Sequence, residues 1–225
     1  SSAASDVYKR QSMKRSKITI LLAIVLGMTF HSCLDLEPQD QLGGKNMWTS
    51  VNDYKQFANT FYSWTRDFSS VVYDGTHSDK RSDLITYQSY NEFSRGINSI
   101  PSSDANYTDN YKHIRRTNLL LQNAEAYAKP EDIKQYIGEA YFFRAYSYFD
   151  LLQLYGDVII TKKPLDITDP EMKVKRNDRS EVVDLIIDDL NHAVENLPAF
   201  KELTTEEEGR ISKEGAQAFL SRVAL

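Results

Sequence analysis

The chain has a single cysteine in 225 residues. An internal disulfide needs two, and one thiolate cannot build a thiolate metal site. Cys33 is therefore a spare core thiol, a nucleophile or an attachment point. Long apolar runs are scarce as well. The exception is "ITILLAIVLGMTF" at residues 18–30, which as a helix would span about 20 Å, short of the roughly 30 Å hydrocarbon core of a bilayer. Positive charge is in deficit, with a formal net charge of −5. A general nucleic-acid binder presents a basic face to phosphates, so no nucleic-acid partner is expected. There are four histidines, and His77, His113 and His192 make no close ligand pair. No Gly-rich phosphate loop precedes a helix. No catalytic set, metal or cofactor is expected. A glycosidase-like carboxylate pair has no sequence signature, because its acids come from anywhere in a fold.

The N-terminal residues read as an address. Met13 is followed by Lys14, Arg15 and Lys17, then by the uncharged run, then by Ser32 and Cys33. A basic region, a short apolar region and a small residue before cysteine resemble a bacterial lipoprotein signal. Phe30 and His31 stand where its commonest form has Leu and a small residue. The resemblance implies removal of residues 13–32 and lipid attachment at Cys33. Residues 1–12, upstream of Met13, carry no periodicity and read as a non-native extension. Residues 33–49 read as a tether, and its Asp35 and Glu37 are either a surface-export tag or solvated linker charge.

From residue 50 the pattern is helical. Ser50 and Asp53 have capping-box spacing, and Tyr54, Phe57, Ala58, Phe61 and Tyr62 follow at helical intervals. A second helix is expected from about Thr108 to Ala128, with Tyr111, Ile114, Asn118, Leu121 and Ala124 on one face. "IGEAYFFRAYSYFDLLQLYGDV", residues 137–158, carries the strongest pattern. It is apolar on most sides, as a helix buried between neighbours must be. Ala140 and Ala145 would allow close helix approach, and Gly156 stands where a left-handed C-cap belongs. Residues 158–166 read as extended. A fourth helix is expected from a Ser180 cap to Leu197, and a fifth from a Ser212 cap through Val223. The pairs 108–155 and 180–225 suggest an all-α, tetratricopeptide-like stack with long loop insertions, and "AYSYF" matches part of that repeat.

Arg144 lies on the apolar stripe of the third helix. It is expected to pair with a buried carboxylate and fix packing rather than touch ligand. Asp188 and Asp189 are expected to be solvated or salt-bridged. The non-periodic stretch 66–106, rich in Ser, Asp, Asn and Tyr, reads as long loops, and such loops often carry function. Sugar recognition uses aromatic rings for C–H faces and planar polar groups for hydroxyls. Trp64, Tyr73, Asp79, Arg81, Asp83 and Tyr87 offer that mixture and are the candidate ligand residues.

"GEAYFFRAYSYFDLLQLYGDVIITKKPL" resembles the signature segment of the SusD/RagB family. "RSEVVDLIIDDLNHAVENLP" and "GRISKEGAQAFLSRVAL" resemble the family's next two blocks, in the same order, and "CLDLEPQDQ" its mature N-terminus. The resemblance covers residues 33–225. Family members are about twice this long, so residues 50–225 would be the N-terminal part of such a domain. The resemblance implies a surface lipoprotein of the outer membrane of a Bacteroidetes bacterium. It would bind oligosaccharide or another nutrient and partner a SusC-like TonB-dependent transporter, without being an enzyme. The other classes left open are a helical-repeat scaffold lipoprotein and a surface glycoside hydrolase.

Overall fold

In the computed structural model, the described residues are 47–65, 95–97, 99–166 and 168–225. They contain five α-helices: α1 Val51–Asn59, α2 Ala105–Glu125, α3 Lys134–Tyr155, α4 Arg179–Asn196 and α5 Lys213–Ala224. No strand is present among them, and the one β-bridge joins Val158 to Asn177. The expected all-α, tetratricopeptide-like architecture is the one observed.

α3 is the central element. It packs against α2 on one side and α4 on the other, while α5 packs on α4 and α1 lies against α3. Its composition explains this position. Tyr136, Ala140, Phe142, Phe143, Ala145, Tyr148, Leu151 and Leu152 are all buried, which places apolar groups around nearly the whole circumference. At Gly138 α3 comes close to the end of α4. A Cβ there would meet Leu197 Cγ at 2.9 Å and the Leu197 backbone nitrogen at 3.1 Å. The sequence assigned close approach to Ala140 and Ala145, which are fully buried, and passed over this glycine.

Helix starts follow capping chemistry. The Ser50–Asp53 capping box forms as expected, with the Ser50 N–H donating to Asp53 Oδ2 at 2.8 Å. The stripe from Tyr54 to Phe61 is buried, but the helix tightens into a 3₁₀ turn over Thr60–Trp64. α2 starts at Ala105, not Thr108, because Asp104 accepts the Asn106 N–H at 2.9 Å. α4 starts at Arg179, not after Ser180, and Glu181 accepts the Asp178 N–H at 3.0 Å. At α4 an acidic cap two residues earlier outcompetes the serine. Ser212 caps α5 as expected, accepting from the Gly215 N–H at 3.3 Å. Gly156 has φ +72° and ψ −108°. It ends α3, but outside the left-handed helical region expected of it, in a backbone state that only glycine adopts easily.

Residues 158–161 run extended beside α2 and α3, short of the expected 158–166 because the chain bends at 162–163, and side chains take the place of a neighbouring strand. Tyr111 Oη donates to Ile159 O at 2.8 Å and accepts the Ile159 N–H at 2.9 Å. Tyr148 Oη does the same for Thr161, at 3.2 and 2.7 Å. Asn118 Nδ2 donates to Thr161 O and Lys163 O, at 2.9 and 3.2 Å. On the opposite edge, Val158 O accepts the Asn177 N–H, and Asn177 Oδ1 accepts the Ile160 N–H, both at 2.9 Å. Odd and even residues thus bond to opposite sides, as the two-residue period of a strand requires. No helix among the described residues is long and apolar enough to cross a membrane.

Candidate functional site

Two buried ion pairs hold α3. Arg144 donates Nε and Nη2 to the two oxygens of Asp189 on α4, at 2.8 and 2.6 Å, and Nη1 to Asn118 Oδ1 at 2.8 Å. The expected structural role of Arg144 is the observed one. Burial alone would lower its pKa, but the hydrogen bonds and charge of Asp189 more than offset this and hold it above the ordinary value. Asp188 and Asp189 part company. Asp189 is fully buried, while Asp188 is exposed beside His192 at 3.8 Å.

The second pair escaped sequence reasoning. Glu139 is fully buried and accepts Arg210 Nε and Nη2 at 2.8 and 2.7 Å. The Arg210 guanidinium also lies over the rings of Tyr62 and Tyr136, at 5.2 and 5.4 Å, and donates Nη1 to Asn59 Oδ1. A signal was present, since a charged Glu139 interrupts the most apolar helix of the chain. Its partner lies 71 residues away in an acidic loop, and no local pattern links them.

Two clefts flank the extended segment, and Lys163 borders both. The first has a volume of about 460 Å³. Tyr107, Tyr111, Ile159 and Leu165 form its walls, with Lys112, Arg115, Lys163 and Glu171 at its rim. The Tyr107 and Tyr111 ring centroids are 4.8 Å apart. Burial raises the Tyr111 hydroxyl well above the usual phenol range, so it stays neutral. The second cleft, about 390 Å³, is polar and includes Gln122, Glu125, Tyr141, Lys162, Asp188 and His192, with Arg144 in its lining. The Tyr141 and His192 rings stack at 4.8 Å, and Arg144 lies 5.2 Å from the Tyr141 centroid. That arrangement sets planar hydrogen-bonding groups beside aromatic carbon, a combination suited to a saccharide ring. Neither cleft was identified from sequence, because the first joins segments about 50 residues apart and the second draws on four separate stretches between residues 121 and 192. No group of three or more potential metal ligands occurs among the described residues.

Of the candidate ligand residues, Trp64 is described. It is half-buried, stacked on His113 at 4.1 Å and 14°, with Phe61 at 4.7 Å and Phe143 at 5.9 Å. Much of its ring is therefore occupied by the protein itself. Burial against these neighbours lowers the His113 pKa to about 4, keeping it neutral near pH 7. Arg116, one turn further on, donates Nη2 to Thr60 Oγ1 at 3.0 Å, while its buried Nε has no acceptor among the described residues. Tyr73, Asp79, Arg81, Asp83 and Tyr87 lie outside the described residues, as does Cys33.

Comparison with known proteins agrees with this helical arrangement. The SusD-like family described as "Starch-binding associating with outer membrane" matches residues 34–225. SusD-like protein P38 of Formosa agariphila is 28% identical over 207 residues, covering 83% of this chain and 38% of that protein. SusD-like protein P2 of the same organism is 28% identical over 230 residues, covering 95% and 43%. The chain thus spans about two fifths of the length of these relatives. A crystal structure of a SusD-like protein from Bacteroides fragilis superposes with a TM-score of 0.66 at 27% identity, covering 83% of this chain and 37% of that one. A laminarin-binding SusD-like protein superposes with a TM-score of 0.52 at 29% identity, covering 58% and 28%. With most of its length matched, and with helices in the arrangement of these structures, the chain belongs to the SusD-like family.

Proposed function

We propose that this chain acts at the cell surface as a glycan-binding lipoprotein, working with a SusC-like TonB-dependent transporter. The observation that carries the reading is the family match over residues 34–225, whose description names starch binding and outer-membrane association. The match begins at the residue after Cys33. That supports a mature protein starting at this cysteine, with residues 13–32 acting as signal peptide and lipid on the thiol. Likeness to a laminarin-binding SusD-like protein favours an oligosaccharide as the nutrient. Binding would use Tyr73, Asp79, Arg81, Asp83 and Tyr87, with Trp64 adding only the part of its ring that His113 and Phe61 leave uncovered. The protein would retain glycan without cleaving it.

Affinity electrophoresis tests the central claim. Mobility should fall in gels containing laminarin or starch, with no reducing sugar released on incubation. Unchanged mobility across a panel of storage and cell-wall glucans would overturn glycan capture. The anchor is tested separately. Cys33→Ala should move the protein from the membrane to the soluble fraction, and continued membrane retention would remove the lipid claim. Purification in mild detergent should recover a large β-barrel protein alongside this one; its absence would favour a free-standing binder.

A further inference from the structure

The 460 Å³ cleft between the first turns of α2 and residues 159–171 is unlike a sugar site. Its volume falls in the range of small-molecule pockets, about 300–1,000 Å³. Several polar atoms of its walls, however, are already engaged within the fold. The Tyr111 hydroxyl both donates to and accepts from the Ile159 backbone. Thr108 Oγ1 donates to Asp104 O at 2.8 Å. Thr161 is tied through both backbone groups to Tyr148. The walls therefore present ring faces and aliphatic carbon. A sugar hydroxyl desolvated against these faces would lack a partner, which disfavours its binding there.

The rim has a different character. Three of its residues are cations, Lys112, Arg115 and Lys163, and one is an acid, Glu171. Asp109 and Asp166, which pair with Lys112 and Arg115, are not among the residues lining the cleft. All three ion pairs are at least half exposed on both partners, so they are weak and exchangeable. Arg115 spends Nε on Leu165 O and Nη2 on Asp166, leaving Nη1 without an acceptor among the described residues.

The geometry points to a binding site for a small amphipathic anion, an aryl carboxylate, with its ring between Tyr107, Tyr111, Ile159 and Leu165 and its carboxylate at Arg115 and Lys163. Electrostatics select the anion and the walls select its flat body. This site is separate from glycan capture, and neither claim depends on the other.

The test uses the full chain and 4-hydroxycinnamate as probe, with acetate and cyclohexanol as comparators. Saturation-transfer NMR should show hydroxycinnamate binding, no acetate binding and much weaker cyclohexanol binding. Isotope-filtered NOEs should run from the probe ring to the methyls of Ile159 and Leu165. Thr108→Trp fills the cleft and Leu165→Glu charges its wall; each should weaken binding about tenfold, the loss of roughly one good contact's worth of affinity. NOEs confined to other methyls, or no binding at millimolar probe, would overturn the site even if a variant failed to fold. Cyclohexanol binding as tight as hydroxycinnamate would overturn the anion assignment.

Discussion

Arg144 and Arg210 each end in a fully buried carboxylate, yet they join different parts of the molecule. Arg144 joins three helices. Its guanidinium binds Asp189 of α4 and Asn118 of α2, and Asn118 in turn holds the extended segment. Its surroundings are closed, with side-chain exposures of 6% and 0% for the pair. Arg210 comes from a loop. It brings that loop onto α3 and onto the end of α1 through Asn59, and two tyrosine rings replace the missing helical walls. A helix-borne pair can fix the packing of its neighbours. A loop-borne pair needs aromatic faces to exclude water before its charges pull strongly on each other.

The largest effect expected is at the closed pair. Asp189→Ala strands the Arg144 guanidinium in the core and should cost about 3–5 kcal/mol in urea unfolding. Replacing Arg144 and Asp189 together by Met and Leu should recover most of that loss, since no charge is left unpaired. At the loop-borne pair Arg210→Ala should cost less, about 2–3 kcal/mol, because the stranded Glu139, whose pKa burial already raises, can take up a proton and lose its charge, which a stranded guanidinium cannot. Arg210→Lys should recover little, having no planar fork to match Glu139 or to stack between rings. Gly138→Ala should cost about 1–3 kcal/mol by overpacking α3 on the end of α4. Equal losses at Asp189 and Arg210 would erase the distinction between the two pairs.

Smaller effects concern the third helix and the extended segment it supports. Tyr148→Phe removes one hydroxyl that serves two backbone groups of Thr161, and should cost about 1–2 kcal/mol. Hydrogen exchange at Thr161 should accelerate while that at Ile159, held by Tyr111, changes less. Acid should act in two windows. The His113 pKa is lowered from 6.5 to about 4 in the fold, so the unfolded chain binds more protons between those values. Its contribution is complete above pH 6.5 and falls as pH drops toward 4. The Asp104 carboxyl accepts the Tyr155 hydroxyl at 2.6 Å, which holds its pKa below the ordinary 3.8. Its contribution is present above 3.8 and is lost below, as pH falls through the folded value. Urea midpoints of Trp64→Ala and Asp104→Asn against pH separate the two: the first should flatten the upper window, the second the lower.

The helices were legible because each carries a pattern at short range. The apolar surface of α3, the stripe of α4 and the caps at Ser50 and Ser212 are all local facts. The errors were local too, and arose where two caps compete, as Asp178 does with Ser180. Arg144 could be read as a packing residue because a charge on an apolar stripe demands a partner, though the partner's identity needed the fold. The two clefts were not legible. The first brings residues near 110 together with residues near 160, and the second gathers residues from 121 to 192; side chains such as Tyr111, Asn118 and Arg115 close those distances by bonding to the backbone of residues 159–165. Of the residues chosen for glycan contact, Trp64 was chosen for its ring, yet its ring packs on His113 and Phe61.

The tyrosine and asparagine bonds to residues 158–163 have a further consequence. "VIIT" is the kind of short β-branched run that pairs with copies of itself when its backbone is bare. Here Tyr111, Tyr148, Asn118 and Asn177 occupy the donors and acceptors along both sides. An incoming strand would find few free groups to zip onto. Loss of these hydroxyls would then show first as aggregation during expression, before any loss of helix content, and the tyrosines would be guarding solubility as well as shape.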